Sequence, residues 1–455
     1  MADLPTTSRG NWDSKLGFIL AAAGSAVGLG NIWRFPTEAA SNGGAAFLLI
    51  YLACCFLIGF PVMIAEMSIG RSSKKNPVGA FRALSTNKFF PLVGIWGVLC
   101  GVMILSFYTV IAGWTFSHVF VEIFVFAGMQ ETANFLADFQ NGYVNAAFAI
   151  LFMVCTIAII RGGVSNGIER ATNFMMSLIL IILVILTVYV LFQPGAGKGI
   201  EIYLYPDFSM IDMELILAAM GQAFFSLSLG MGAIITYGSY LSKKENIAEA
   251  AGFVTLADVG IAFLAGLLIL PTIYMAQAEG VQIFDADGNF LAGPALIFQL
   301  LPELFAQMGG LTGLIFGVLF FFLLSIAALT STISLLEVPV SYVIDEHKVK
   351  RKNAALFVGL GILVISLVIS FNTALIDSID FTFSVIGLPL GGLLICIFLG
   401  FVWKTDNALE ELKNGYKNVK DTFFAKAWTV FVKYVCPLII LIILIQTIYD
   451  AFFSG

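Results

Sequence analysis

Two segments of this chain carry residue types and spacings that suit the binding of an ion and a small solute. Gly24-Ser25-Ala26-Val27-Gly28-Leu29-Gly30-Asn31 and Phe225-Ser226-Leu227-Ser228-Leu229-Gly230-Met231-Gly232 each set paired glycines in the middle of a long apolar stretch. A glycine in a helix interior costs about 1 kcal/mol relative to alanine. Such a cluster therefore marks a helix that is either closely packed through small residues or locally unwound. Unwinding exposes half-helix N-termini, whose N–H groups suit a carboxylate, and frees carbonyls, which suit a cation. A single segment of this kind reads as packing. Two of them, five apolar stretches apart, fit an inverted repeat with a midplane binding site. Asp258 is the only acid deep within the seventh apolar stretch, and an intramembrane carboxylate is functional by default. No HExxH or GxGD run is present, and His118 and His347 lie far apart in the topology, so an enzyme is not expected.

The elements that must position these residues follow from composition. Of 455 residues, 59% are hydrophobic and only 11% charged, against about 25% charged in an ordinary soluble domain. Mean hydropathy is +0.96. A water-soluble globule is excluded, and stretches such as 178–192 and 438–445, apolar on every side, exclude a β-barrel. The chain is expected to be an all-α polytopic membrane protein. No basic domain points to nucleic acid. All six cysteines fall in apolar stretches without a CxxC spacing, which argues against disulfides and a zinc site.

Hydropathy, broken at proline, glycine and charge clusters, predicts eleven transmembrane helices: 14–37, 44–70, 92–127, 142–160, 166–192, 213–241, 246–278, 307–346, 354–371, 376–404 and 427–453. With the N-terminus cytoplasmic, every lysine and arginine except Arg34 and Lys198 falls on the inner side, as the positive-inside rule requires. The odd count places the C-terminus outside. Acids such as Glu131, Asp207 and Asp285 gather in the outer loops, giving an electronegative mouth. Residues 279–306 read as an outer loop able to act as a lid or simply to pack, and 405–426 as a polar cytoplasmic connector without chemistry. The division expected is 1–192 for a first repeat (helices 1–5), 213–404 for a second (helices 6–10), and 405–455 for the connector and helix 11. The protein is expected in the cell (inner) membrane.

The opening of the chain, Trp12…Gly17-Phe18-Ile19-Leu20-Ala21…Gly24-Ser25-Ala26-Val27-Gly28-Leu29-Gly30-Asn31-Ile32-Trp33-Arg34-Phe35-Pro36, then Asn42-Gly43-Gly44-Ala45-Ala46-Phe47, resembles the neurotransmitter:sodium symporters. The likeness continues through Pro61…Glu66…Gly70-Arg71, Gly232-Ala233-Ile234-Ile235-Thr236-Tyr237 and Leu329-Thr330-Ser331, and so covers nearly the whole chain. It implies a LeuT-type fold, a 5+5 inverted repeat with broken first and sixth helices, and, with the eleven-span count, a bacterial amino-acid transporter.

The resemblance implies two sodium ions. One would meet the Ala26 carbonyl, the Asn31 side chain and the Ser226 hydroxyl. The other would lie between the carbonyls of Gly24, Val27 and Ala327 and the hydroxyls of Thr330 and Ser331. It also implies that the N–H groups of Leu29 and Gly30 and the Tyr108 hydroxyl receive an amino-acid carboxylate. Carbonyls of Ala26, Phe225 and Ser226 would take its ammonium, with Ser228 a further candidate. The side-chain pocket would be lined by Ile104, Phe225, Met231, Thr332 and Leu335. With no charge there, a neutral, hydrophobic or aromatic side chain is favoured. Arg34 and Asp380 match an outer gate lidded by Phe225, and Arg9 and Asp345, with Trp12 and Tyr240, an inner one.

Two positions depart from the family pattern. Where relatives commonly offer an asparagine to the first sodium, simple alignment puts Ala257, with Asp258 beside it. Asp258 could ligand that sodium or supply the negative charge that chloride provides in animal relatives, so chloride-independent transport is expected. In the fifth span, Gly167 is followed ten residues later by Ser177 where relatives often have a helix-breaking proline. Glu66 is expected to anchor the unwound first helix, and Glu337 has no clear role. The function implied is sodium-coupled import of a neutral L-amino acid across the lipid bilayer. The alternatives are a cation channel or a symporter for another small amine or amino-acid-like solute.

Overall fold

A computed structural model describes residues 10–278, 283, 297–298 and 301–453. Arg9 and most of the expected lid lie outside the described residues. Within them the chain is helical, without a strand. Nine helices are long and apolar enough to cross a membrane: Ala45–Ser73, Phe90–Phe126, Gly142–Arg161, Val164–Leu191, Ile247–Gln277, Gly310–His347, Arg351–Phe371, Leu375–Lys413 and Phe423–Phe452. The pair Lys15–Ala26 and Gly30–Ser41, bent by 54°, makes a tenth. Met213–Ser226 and Ala233–Ser239, on either side of the second glycine cluster, complete the eleven. They are called here the first to eleventh spans in chain order.

Both glycine clusters break their helices. In the first span the helix stops at Ala26, Val27 is extended (φ −72°, ψ 111°), and the chain resumes in a wide π turn over Gly30–Arg34. In the sixth, Ser228, Gly230 and Gly232 all take positive φ, at 53°, 81° and 78°. Gly230 must be glycine for a second reason: a Cβ there would stand 2.1 Å from the Leu388 carbonyl oxygen of the tenth span. The backbone is thus unwound where it is buried in protein, which membrane depth permits.

The spans present large apolar side chains outward, as Ile181, Val184, Ile185 and Val188 do on the fifth, and bury small and hydroxylated residues between helices. The third and eighth spans run side by side, joined by Thr115 and Ser325 hydroxyls 3.2 Å apart. All six cysteines are free.

The expected polar connector is corrected in its first half. The tenth span does not end at 404 but continues through a π turn at Phe398–Lys404 into Thr405–Lys413. This extension carries Glu411, whose carboxylate lies 2.7 Å from the guanidinium of Arg71 at the end of the second span. Arg71 is fully buried and also donates to the carbonyls of Glu245 and Glu411, both at 2.5 Å. A buried cation needs this full set of partners, so the C-terminal ends of the second and tenth spans and the loop between the sixth and seventh are tied at one guanidinium.

Candidate functional site

The break in the first span, the break in the sixth and the middle of the seventh meet around Asp258, which is fully buried. The Asn31 amide nitrogen lies 2.7 Å from Asp258 Oδ1 and 3.0 Å from the Ser226 hydroxyl. Ser226 donates to both carboxylate oxygens, at 2.8 and 3.0 Å, and the Tyr51 hydroxyl donates to Oδ2 at 3.1 Å. All of these donors are neutral, so an ionised Asp258 would need a bound cation to balance its charge. Among the described residues no three His, Cys, Asp or Glu side chains gather as a metal set. Hydroxyl, amide, carbonyl and carboxylate oxygens suit a hard ion. Asn31 Oδ1 accepts from the Gly28 N–H at 3.0 Å, which closes the turn that opens the first-span break.

On the opposite side of the first-span break, the Thr330 hydroxyl donates to the carbonyls of Val27 (3.1 Å) and Ala327 (2.8 Å). Three of the five groups expected for the second sodium are therefore in contact. Ser331 stands beside Gly28, where a Cβ would come within 2.2 Å of its hydroxyl and 2.9 Å of that of Tyr108. Gly24 packs against Thr172 and Met176 of the fifth span.

Between these two clusters lies a cavity of about 20 Å³, bordered by Ala26, Gly30, Ile104, Tyr108, Phe225, Ser226, Ser228, Met231 and Leu335 among others. The Leu29 N–H donates to the Tyr108 hydroxyl at 3.0 Å, so two groups expected to hold a carboxylate face each other directly. Thr332, expected on this pocket, is not part of it: its hydroxyl lies 2.8 Å from that of Thr156 on the fourth span. Ser331, Ser334 and Leu335 share one helix face at i, i+3 and i+4, whereas Thr332 is turned about 100° from Ser331. Ser334 and Ser25, which sequence reasoning missed, border the cavity instead. The spacing within the eighth span could have found Ser334. Tyr51 and Gln222, whose side chain donates to the Gly30 carbonyl at 2.7 Å, carried no local signal.

Beyond Phe225 opens a vestibule of about 740 Å³ whose wall includes Arg34, Glu38, Asp377 and Asp380. Arg34 lies 3.7 Å from Asp380 and 3.8 Å from Glu38, with its guanidinium carbon 5.0 Å from the centre of the Phe225 ring. Phe225 borders both spaces, together with Gly30 and Tyr108. Phe298, within the expected lid, is buried against Trp33, Trp114 and His118 above the site. His118 is a packed helix residue, its Nδ1 2.8 Å from the Trp114 carbonyl oxygen.

At the N-terminal end of the first span Trp12 donates to the Tyr237 carbonyl at 3.1 Å, and its ring meets those of Tyr237 and Tyr240 edge-on. Asp345 accepts from the backbone N–H and the side chain of Asn76, at 2.8 and 3.0 Å. Glu337 gains a role: it accepts from Tyr240 at 2.6 Å and pairs with Arg351 at 2.5 Å, while Arg351 also donates to the Ile160 carbonyl at 3.0 Å. Glu66 accepts the Gly230 N–H at 2.8 Å, so it anchors the break of the sixth span rather than that of the first. Ser177 does not break the fifth span; its hydroxyl donates back to Asn173 at 2.9 Å. That span instead opens with a π turn at Val164–Glu169, and the Glu169 carboxylate takes the Asp13 N–H and the Ser14 hydroxyl, at 2.8 and 3.0 Å.

Eleven packed spans, two of them unwound around oxygen-lined clusters and a closed central cavity, are the architecture of a membrane transporter with its site at mid-depth. Comparison with known proteins gives the family. The sequence model of the sodium:neurotransmitter symporter family matches residues 9–135 and 129–453. The chain is 34% identical, over 96% of its length and 97% of the relative's, to the uncharacterized sodium-dependent transporter YhdH of Bacillus subtilis strain 168. Human sodium- and chloride-dependent GABA transporter 2 is 25% identical over 80% of this chain and 67% of its own. The crystal structure of MhsT in complex with L-phenylalanine is similar at a TM-score of 0.85 and 40% identity, covering 96% of this chain and 99% of that one. The chain belongs to the sodium:neurotransmitter symporter family and is a sodium-dependent, multi-pass membrane transporter.

Proposed function

We propose that the protein is a sodium-coupled symporter that imports neutral, apolar or aromatic L-amino acids by alternating access. The observation that carries this reading is the placement of Asp258. Its carboxylate, with only neutral donors, adjoins the broken first span, on whose other side the Leu29 N–H and the Tyr108 hydroxyl offer a carboxylate site. A cation and a zwitterion can then neutralise one another there. MhsT, crystallised with L-phenylalanine, supports an amino-acid substrate.

In this reading the first sodium takes Ala26, Asn31, Ser226 and Asp258, the Asn31 amide turning its oxygen to the ion. The second takes Gly24, Val27, Ala327, Thr330 and Ser331. Asp258 supplies the negative charge, so no chloride is required. Helices 1–5 and 6–10 form two repeats of opposite topology, with the N-terminus in the cytoplasm and the C-terminus outside. Arg34 and Asp380 close over Phe225 once substrate is seated. The Tyr240–Glu337–Arg351 set, with Trp12 and Asp345, opens on the inner side. A continuous channel is disfavoured by the cavity of about 20 Å³, room for about one water.

The test is uptake of each of the twenty amino acids into proteoliposomes under an inward sodium gradient, compared with an equal potassium gradient. Accumulation of a few neutral amino acids with sodium alone supports the symporter. Flux without accumulation returns the reading to a channel.

A further inference from the structure

The third and eighth spans meet residue against residue along one antiparallel seam: Thr115 with Ser325, His118 with Phe321, and Glu122 with Gly317. His118 and Glu122 stand at i and i+4 of the third span, so they share a face one turn apart. Both are buried, and each has a side-chain atom without a hydrogen-bond partner, Nε2 of His118 and Oε1 of Glu122. The Trp114 carbonyl oxygen, 2.8 Å from Nδ1, can only accept, so Nδ1 carries the ring proton and Nε2 keeps a bare lone pair. Rings of Phe139, Phe298 and Phe321 enclose the imidazole. The Glu122 carboxyl lies on the backbone of Gly317, where a Cβ would stand 2.5 Å from its Cδ.

Among the described residues no other charge faces the pair. Glu122 is the only charged residue of the third span; the eighth has none before Glu337, the fourth none before Arg161 and the ninth none after Lys352. Glu131 and Asp138, which follow the third span, and Glu303, which precedes the eighth, are exposed. Arg82, in the helix before the third span, pairs with Glu346, and Asp377 and Asp380 of the tenth face the vestibule. Tyr189 of the fifth span packs on Phe316. Asp258 has a ring of donors around its carboxylate, whereas Glu122 has only an imidazole one turn away.

An ionised carboxylate buried without a counter-charge is too costly to persist, and such a group takes up a proton instead. An ionisable residue inside a membrane span is functional by default, and here its partner is on the same helix face. We propose that His118 and Glu122 form a proton-binding site that holds one proton between the third and eighth spans. On the Glu122 carboxyl the proton leaves two neutral groups; on His118 Nε2 it leaves an imidazolium–carboxylate pair. Either way the seam carries no net charge, and the two groups titrate as a unit. Raising the pH until the proton leaves puts one negative charge in the seam, and a second proton at low pH puts one positive charge there. The same two spans carry Ile104, Tyr108, Ser331 and Leu335 at the central cavity, so the bound proton steadies the helices that shape it.

The test needs no substrate. Infrared spectra of the purified full-length protein are recorded in sodium buffer from acid to alkaline pH, and the carbonyl stretch of Glu122 is isolated by subtracting the spectrum of Glu122→Gln. The wild type is expected to show a protonated-carboxyl band that the variant lacks and that disappears in one step as the pH rises. His118→Gln is expected to move that step by about one pH unit or more, a tenfold change in proton affinity, because the pair has lost its second proton acceptor. Across the same step the melting temperature of the wild type falls, while that of Glu122→Gln, neutral at every pH, does not fall with it. Should Glu122→Gln give no folded protein, Glu122→Asp is used for the subtraction, and a displaced band and step support the assignment. Absence of a protonated band at Glu122 overturns it. A step that His118→Gln leaves in place also overturns it, because Glu122 would then be a lone buried acid.

Discussion

The side-chain nitrogen of Asn31 and the carboxylate of Asp258 lie 2.7 Å apart, joining the broken first span to the seventh. An amide can present either its oxygen or its nitrogen to such a site, and a carboxylate binds an ion or an N–H donor with the same atoms. The contact couples the geometry of the break to the charge that a sodium ion would meet.

If Asp258 supplies the negative charge at this site, exchanging chloride for gluconate leaves wild-type uptake within about twofold, and a several-fold fall refutes the assignment. Asp258→Asn retains the hydrogen-bonding shape without the charge. Its sodium-driven uptake is expected to drop more than tenfold, with the sodium concentration for half-maximal transport raised. Recovery of the variant by added chloride would identify the role as counter-charge.

The Tyr240–Glu337–Arg351 set is more deeply buried than the Arg34–Asp380 pair. Glu337 is fully buried, so Arg351→Ala leaves its carboxylate without a counter-ion, a change that costs about 3–5 kcal/mol. The expected result is a lowered melting temperature in detergent together with greater labelling of a cysteine introduced on the path beside Trp12 and Tyr240. Arg34 and Asp380 are both partly exposed, and pairs of that kind are worth about 0–1 kcal/mol. Asp380→Asn should leave the melting temperature nearly unchanged and slow uptake.

Arg71 uses three of its donors on Glu245 and Glu411. A lysine ammonium is a point charge and cannot reproduce that fork. Arg71→Lys is therefore expected to lose most of the stability that Arg71→Ala loses, read as the yield of monodisperse protein after heating. Full retention by the lysine variant would mean that charge alone holds the three segments together.

Gly230 combines a φ of 81° with backbone contact to Leu388. Gly230→Ala meets both a left-handed conformation and a clash, and is expected to abolish uptake and lower expression. Gly221→Ala, in the same span with open space at its Cβ, is expected to be tolerated.

Local chemistry made much of this protein legible before its structure. Apolar runs long enough to span a bilayer located the spans to within about four residues, the end of the tenth excepted, because lipid forces backbone groups to pair within each helix. Glycines Gly28, Gly30, Gly230 and Gly232 marked the breaks, since only clustered glycine interrupts an apolar helix so consistently. Asp258 stood out as the only acid deep in its span.

What required the tertiary structure was the rotation and crossing of one span against another. Thr332 and Ser334 are equally polar in sequence, yet helix rotation turns one to Thr156 and the other to the cavity. Tyr51 reaches Asp258 across 207 residues, and Arg71 reaches Glu411 across 340. No periodicity within either segment encodes such a meeting. It arises where helices approach closely enough for a buried polar group to find the partner it must have.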